Sequence, residues 1–520
     1  MGEWITYESL LMTLDLALRI RSVLAIAPES PALEYKQRWY SWAEMSLLMS
    51  QTDKLLSDAS LNEGAPVGIL LRNRPAQLCM LLQALASRRC VVTLNPFQSP
   101  EKIARDLEAI QIGALIADEQ DWQTPALLAA AQAKGCLGLS VSSDEKMTVQ
   151  AQPGVALTLD PTSLPDLSET AILMLSSGTT GPAKRISLPY SKLEASLTDA
   201  AHYEAGKAPE ILALKTSPAM LTTPLVHIGG MYFAVAAVVA ARPIVILEKF
   251  TVADWSKAVA AYRPKTVSLP PTAIRMILDA DVAKSDIDSL LAIRTGSAPL
   301  DPDMQIEFET RYDIPLLDAY GATEFAGAVA GWSLREHKEF SKHKRGSVGR
   351  AQPGCDVRIV DPKTDQVLGN NNVGLLEVRS AQIDGSRWVR TTDLAEIDDD
   401  GFIFIRGRSD SAIIRGGFKV LPLDVEAALR EHPSIKEICV VGLPDPRLGA
   451  VPVAALELRP GEELSDAQLN TFAREKLVAY QVPVRWLVVD SLPRTPSLKV
   501  SQHEVRQLFD APQASVQAAV

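Results

Sequence analysis

At 520 residues the chain exceeds the size of a single hydrophobic core, and at ~150 residues per domain it divides into about three or four compact units. With 47% apolar and 22% charged residues, 29 Gly and 34 Pro, it has an ordinary globular composition, which argues against a disordered, collagenous or coiled-coil chain. Its 63 acidic residues against 52 basic ones leave a formal charge of −11, so no net field draws in phosphate backbones and a nucleic-acid partner is not expected.

At the N-terminus, Glu3 and Asp15 stand where a secretory signal needs a basic start and a long apolar core, and Met1–Thr6 matches the loose myristoylation pattern by chance. From Pro66 the chain alternates a strand (66–71), a helix (75–87), a strand (90–94), a second helix and a strand (114–117), the order of a parallel α/β sheet. Ser99, Pro100 and Glu101 mark the start of that second helix with a cap, a first-turn proline and an acidic residue. A second series follows: strands at 172–175, 244–247, 266–269 and 291–294, with helices beyond Tyr190, from Ala253 and from Thr272. The longest apolar run, 229–241, stops at Arg242, short of the ~20 residues a membrane helix needs, and reads as a buried helix.

After Gly346 short strands between turns (356–360, 374–379, 402–405) predict a small β subdomain. Beyond Arg408 comes an α+β pattern, with helices over 423–431 and 466–477 and strands over 438–442, 453–458 and 485–489. The expected architecture is α/β. A large N-terminal domain (1–408) has parallel-rich sheets, covering helices and the β subdomain (about 346–408), and a smaller mobile α+β lobe spans 409–520. The Ala- and Gln-rich end from Asp510 is expected to fray. Cys79, Cys90, Cys136, Cys355 and Cys439 are odd in number and scattered, which suggests neither a disulfide framework nor a zinc site and fits a cytoplasmic protein.

The chemistry-bearing segments sit at predicted strand ends. Ser176-Ser177-Gly178-Thr179-Thr180-Gly181-Pro182-Ala183-Lys184 follows the strand ending at Leu175, and its hydroxyls and glycine amides suit anionic oxygens, although such a cluster alone also describes an ordinary surface loop. It is not a Walker loop, because Ala183 precedes Lys184 and Arg185 follows it. Tyr320-Gly321-Ala322-Thr323-Glu324 is placed after a strand over 314–317. Trp388–Asp393, Gly407–Asp410, Arg415–Val420 and Pro493–Val500 complete the series, with Gly296–Leu300 between.

In this order, over 172–500, these segments resemble the adenylate-forming superfamily of acyl-CoA synthetases, peptide-synthetase adenylation domains and luciferases. The resemblance implies an AMP-forming carboxylate–CoA ligase: ATP and Mg2+ activate an acid to an acyl-adenylate, and coenzyme A or a carrier-protein phosphopantetheine then takes the acyl group. It implies that Ser177, Gly178, Thr179, Thr180, Gly181 and Lys184 hold the β and γ phosphates, Thr323 the α-phosphate, and Glu324 the Mg2+. Gly296, Ser297, Ala298, Asp318, Tyr320 and Gly321 would surround adenine, and Asp393 and Arg408 would bind the ribose. Lys499 would carry its charge to the reacting carboxylate and phosphate, Asp410 would be the hinge, and Gly416 and Gly417 would admit pantetheine.

For the acid, Pro224–Gly230 resembles the family's gate, with His227 orienting the carboxylate or blocking the thiol path; Met231, Pro271, Gly321, Phe325 and Ala326 make the wall. These side chains suit an apolar aryl or medium-chain aliphatic acid. Four features depart from the family pattern: the phosphate loop carries Arg185 in place of its last glycine, the stretch from Glu377 to Trp388 is trimmed, Ser411 stands where an acid commonly follows the hinge, and Leu498 replaces the glycine before Lys499. The rival reading is a catalytically silent nucleotide-binding scaffold. The oligomeric state, monomer or homodimer, stays open.

Overall fold

The computed structural model describes residues 14–175, 185–205, 212–322, 325, 327–380 and 387–510, with the backbone alone for 199–205. It forms two compact units: one holds the described residues of 1–176, 183–356 and 379–387, the other those of 357–378 and 388–520.

The first unit begins from the predicted apolar strands. Pro66–Leu70, Cys90–Leu94 and Ala114–Asp118 are buried at every residue, as parallel strands covered on both faces should be. They pair in parallel with one another and with Leu137–Ser142 and Thr170–Leu175 in a seven-stranded sheet whose edges, Thr148–Ala151 and Arg185–Pro189, are antiparallel. The Pro75–Ala86 helix is wholly buried against this core, whereas Pro100–Glu108 buries only Ile103 and Leu107. Ser99 caps it as expected, accepting from the Lys102 amide.

The second strand series does not make one further sheet. Thr170–Leu175 joins the first, and Ile244–Ile246 lies between Ala219–Leu221 and the N-terminal Pro31–Tyr35 strand. Thr266–Ser268, Ala292–Gly296 and Leu316–Ala322 run parallel in a third sheet, continued antiparallel by Gly327–Gly331 and Arg350–Ala351. The Leu316–Ala322 strand corrects the sequence reading: Tyr320 and Gly321 lie inside the strand, paired with Ala330 and Ala328, and not in a loop after it. Gly321 permits this pairing, since a Cβ there would stand 2.3 Å from the Gly327 carbonyl oxygen. The apolar run after Gly229 is the buried Ile228–Val239 helix, and among the described residues no helix is long and apolar enough to cross a membrane.

A half-buried carboxylate ties this third sheet to its neighbouring helix. Glu309, on the Pro302–Tyr312 helix, accepts from the Leu316 amide (3.1 Å), from Arg345 (2.9 Å) and pairs with His337 (2.7 Å). Burial alone would raise its pKa, but these hydrogen bonds outweigh it and hold the carboxyl below its ordinary value.

In the second unit, the short strands after Gly346 form a sheet in the order Cys355–Val360, Gly374–Ser380, Val389–Ile397, Ile403–Arg408, most of which belongs to this unit. The α+β pattern beyond becomes a sheet of Phe418–Val420, Ile413–Arg415, Gly449–Leu458, Ile435–Asp445 and Trp486–Val488, covered by the Pro422–Arg430 and Asp466–Lys476 helices. All five cysteines are buried and unpaired with one another. The end beyond residue 510 lies outside the described residues.

Glu309→Ala is expected to cost about 3 kcal/mol, because it strands Arg345 and the Leu316 amide, and Glu309→Gln, which keeps an acceptor, about half that; urea unfolding followed by intrinsic fluorescence measures both.

Candidate active site

Parallel strands leave their C-terminal ends on one side of a sheet, where ligands of open α/β folds bind. Thr295 pairs with Asp318 and Gly296 with Ala319, so the ends of two adjacent strands bring Gly296, Ser297, Asp318 and Tyr320 together. Ser297 turns the chain away at φ 70°, the left-handed region that side chains rarely occupy. Asp318 is 6% exposed; its Oδ1 accepts from the Ala319 amide at 3.0 Å, and burial nonetheless pushes its carboxyl up to about 7. Such a group offers an acceptor to an amine-bearing base, and Tyr320, half-buried two residues on, supplies a ring at the same strand end.

The phosphate-loop residues Ser177, Gly178, Thr179, Thr180, Gly181 and Lys184, together with Thr323, Glu324 and Ala326, lie outside the described residues. The strands flanking the phosphate loop are described: Leu175 pairs with Arg185, and Thr93 binds both, accepting from Arg185 Nη1 at 3.1 Å and from the Leu175 amide at 3.4 Å. Among the described residues no group of three His, Cys, Asp or Glu side chains is arranged to hold a metal ion.

The residues expected to form the acid gate lie in the same unit. His227 occupies the N-cap of the Ile228–Val239 helix and is half-buried, and Met231 one turn on is buried. Pro271 opens the Pro271–Asp279 helix, also buried, and Phe325 is 2% exposed. Thr222 donates to the Ser268 carbonyl at 2.9 Å, joining the turn that precedes Pro224 to the one that precedes Pro271.

Sequence reasoning missed a residue that fixes the segment before His227. Asn73, 2% exposed, donates from Nδ2 to the Thr223 and Leu247 carbonyls (3.1 Å each) and accepts the Leu225 amide at 2.8 Å. Two segments distant in sequence are thereby held by one side chain, and nothing local to Asn73 signals it. Tyr232 was missed as well: its hydroxyl donates to the Ser196 carbonyl at 2.9 Å, and a Cβ on Gly327 would meet Ser196 Oγ at 2.6 Å, so this corner is closely filled.

The second unit holds the other candidates. Asp393 and Arg408 are cross-strand partners. Arg408 grips Asp410 with two hydrogen bonds, 2.9 and 2.7 Å, and this contact lowers the Asp410 pKa. The ribose and hinge candidates are therefore bonded to each other. Gly416 and Gly417 form the two-residue turn between Ile413–Arg415 and Phe418–Val420, both with positive φ (57° and 87°), a conformation that selects glycine. Lys499 ends a tight turn in which the Thr495 amide donates to the Lys499 carbonyl (2.8 Å) and Thr495 Oγ1 accepts the Lys499 amide (3.2 Å). It is half-buried, and burial lowers its pKa from the ordinary lysine value.

Residues 21–384 match the AMP-binding enzyme family and residues 424–499 match the AMP-binding enzyme C-terminal domain. The chain belongs to this family, within the adenylate-forming superfamily. It is similar to 4-coumarate–CoA ligase 3 of Oryza sativa subsp. japonica, 29% identical over 90% of this chain and 87% of that one. It is also similar to 2-succinylbenzoate–CoA ligase of Bacillus velezensis, 28% identical over 93% and 96%. Its fold is that of ATP-bound MatB from Rhodopseudomonas palustris, with a TM-score of 0.81 at 21% identity over 96% of this chain and 99% of that one. It is also that of the o-succinylbenzoate coenzyme A synthetase MenE from Bacillus subtilis, in complex with ATP and magnesium ion, with a TM-score of 0.76 at 23% identity over 94% and 99%.

The buried Asp318 makes stability depend on pH. Its folded value near 7 exceeds the ordinary 3.8, so the folded state holds a proton that the unfolded chain releases, and stability falls as pH rises through that window. Asp318→Asn removes this slope: its gain in melting temperature over the unsubstituted protein should be larger at about pH 8 than at about pH 5, as differential scanning calorimetry at the two pH values reads.

Proposed function

We propose that the protein is an AMP-forming carboxylate–CoA ligase acting on an apolar aryl or medium-chain aliphatic acid. What carries the reading is the likeness, along nine-tenths of the chain, to relatives that are CoA ligases, 4-coumarate and 2-succinylbenzoate ligases among them. Five unpaired cysteines support a cytoplasmic location.

In this reading the ends of the Ala292–Gly296 and Leu316–Ala322 strands hold adenine, with Asp318 accepting from its amine and Tyr320 stacking on its ring. Arg408 and Asp393 bind the ribose, which requires Arg408 to exchange part of its grip on Asp410. Ser177, Gly178, Thr179, Thr180, Gly181 and Lys184 hold the terminal phosphates and Thr323 the α-phosphate. Mg2+, held by Glu324, would neutralise phosphate charge. The acid lies against Met231, Pro271, Gly321, Phe325 and Ala326, oriented by His227, whose turn Asn73 fixes. Its carboxylate attacks the α-phosphorus, pyrophosphate leaves, and the Lys499 ammonium offsets the charge that accumulates between the two anions.

The lobe from 409 to 520 then turns about Asp410 against the 1–408 domain, withdrawing Lys499 and bringing the Gly416–Gly417 turn to the acyl-adenylate. The thiol of coenzyme A attacks the acyl carbon and AMP leaves. The bare turn supports this role, because nothing lies within 4 Å of a Cβ placed on Gly417.

Pyrophosphate release measured over a panel of aryl and aliphatic acids, with and without coenzyme A, tests the reading: acid-dependent release and thioester formation with free coenzyme A are expected. Release that yields a thioester only on a carrier protein would replace the acceptor, and nucleotide binding without release would mark a silent scaffold. Lys499→Ala is expected to lower acyl-adenylate formation by about 10²–10³-fold while leaving thioester formation from supplied acyl-adenylate nearly intact, since the charge serves only the first step. Gly417→Leu should show the reverse pattern in the same two half-reaction assays.

A further inference from the structure

Glu437 and Glu457 stand directly opposite each other on the antiparallel Ile435–Asp445 and Gly449–Leu458 strands. Like charges in that position repel, and Glu457 is only 5% exposed, so the pair needs a cation. Arg494 supplies it. One guanidinium nitrogen contacts both carboxylates, Glu457 at 3.3 Å and Glu437 more closely, while Lys436 lies 3.7 Å from Glu457. Glu457 also accepts the Leu492 amide at 2.8 Å, so the segment entering the lysine turn is fixed at two successive points.

The other end of the same guanidinium reaches the turn itself. Arg494 Nη1 donates to the Leu498 carbonyl at 3.4 Å, and Leu498 has φ 64°, the left-handed conformation that a branched side chain adopts only at a cost. That carbonyl belongs to the peptide bond leading into Lys499, so whatever holds it sets the direction in which the lysine leaves the turn. A glycine at 498 would take this conformation unaided. Here the chain holds a leucine in it, retained by the Leu498 amide to Thr495 carbonyl bond (2.8 Å), by the two Thr495–Lys499 hydrogen bonds that close the turn, and by the arginine contact on the Leu498 carbonyl.

We infer that Arg494, seated between Glu437 and Glu457, is a positioning residue for Lys499: it holds Leu498 left-handed and so aims the ammonium. The inference rests on the role proposed for Lys499, and on the Arg494–Leu498 contact independently of where the acid binds. When Arg494 is removed, Leu498 relaxes to negative φ and the lysine turns away; a glycine at 498 stays in place with no clamp.

The test is a double-substitution cycle on the full-length protein, with Lys499→Ala as reference and the two half-reactions measured separately. Arg494→Ala is expected to lower the adenylation kcat by about a hundredfold, the loss that a small misplacement of a reacting group produces, with the KM for ATP unchanged. Adding Leu498→Gly to Arg494→Ala should restore about tenfold, the left-handed penalty removed, and thioester formation from supplied acyl-adenylate should be unaffected throughout. Arg494→Lys keeps a charge between the glutamates but not the reach to the Leu498 carbonyl, and it should show a comparable adenylation loss with the same rescue, which keeps the test valid if Arg494→Ala folds poorly. No rescue by glycine in either background, or equal losses in both half-reactions, overturns the inference. Full adenylation by Lys499→Ala itself overturns the proposed role of the lysine instead.

Discussion

A carboxylate and a nucleoside triphosphate repel each other, and the proposed reaction requires an oxygen of one to come within bonding distance of a phosphorus of the other. Two like charges at 4 Å in a partly desolvated site oppose one another by about 4 kcal/mol. The features of this chain that bear on function fall into place around that repulsion. Cations and hydrogen-bond donors have to be aimed at the reacting atoms, and each has to be held by something rigid, because a charge free to move into water offsets little.

Buried and half-buried carboxyl groups anchor the backbone near the candidate residues. Glu309 gathers Arg345, His337 and the Leu316 amide at the foot of the strand that carries Asp318 and Tyr320. Glu457 gathers Arg494 and the Leu492 amide at the foot of the turn that ends in Lys499. In each unit a carboxylate away from the candidate chemistry anchors the backbone that presents it. Asp318 differs: with one backbone amide against its burial, its carboxyl is pushed up to about 7, so it carries only part of its charge at pH 7. A group in that state tolerates a dry strand end and still accepts a hydrogen bond.

Much of this was legible in the sequence. Pro66–Leu70, Cys90–Leu94 and Ala114–Asp118 announce themselves as apolar runs between turns, and Ser99-Pro100 marks its helix, because these are local preferences. Pairing is not local. Nothing in Ile244–Ile246 says that it pairs with the N-terminal Pro31–Tyr35 strand, and the strand end was misjudged at Tyr320 because Tyr320-Gly321-Ala322 looks like a turn until Gly327–Gly331 folds back upon it. Of the candidate site, the resemblance supplied the motif residues but not what surrounds them: Asn73 and Glu457 act on partners far along the chain, through hydrogen bonds that have no pattern in the sequence. Leu498 was visible as a departure from glycine, but its left-handed backbone and the arginine that retains it are properties of the folded turn.

The central claim is that a positive charge delivered at position 499 lets two anions react. Its most direct measurement is chemical restoration of that charge: the Lys499→Cys variant, alkylated with 2-bromoethylamine to rebuild an ammonium of lysine's length, assayed for acid-dependent pyrophosphate release. The native cysteines are all buried, which favours modification at the introduced thiol, and mass spectrometry confirms its completeness. The account predicts that the aminoethylated protein regains adenylation while the same variant carrying the neutral hydroxyethyl group from 2-bromoethanol does not. Equal recovery with both groups, or full activity before any alkylation, would contradict it.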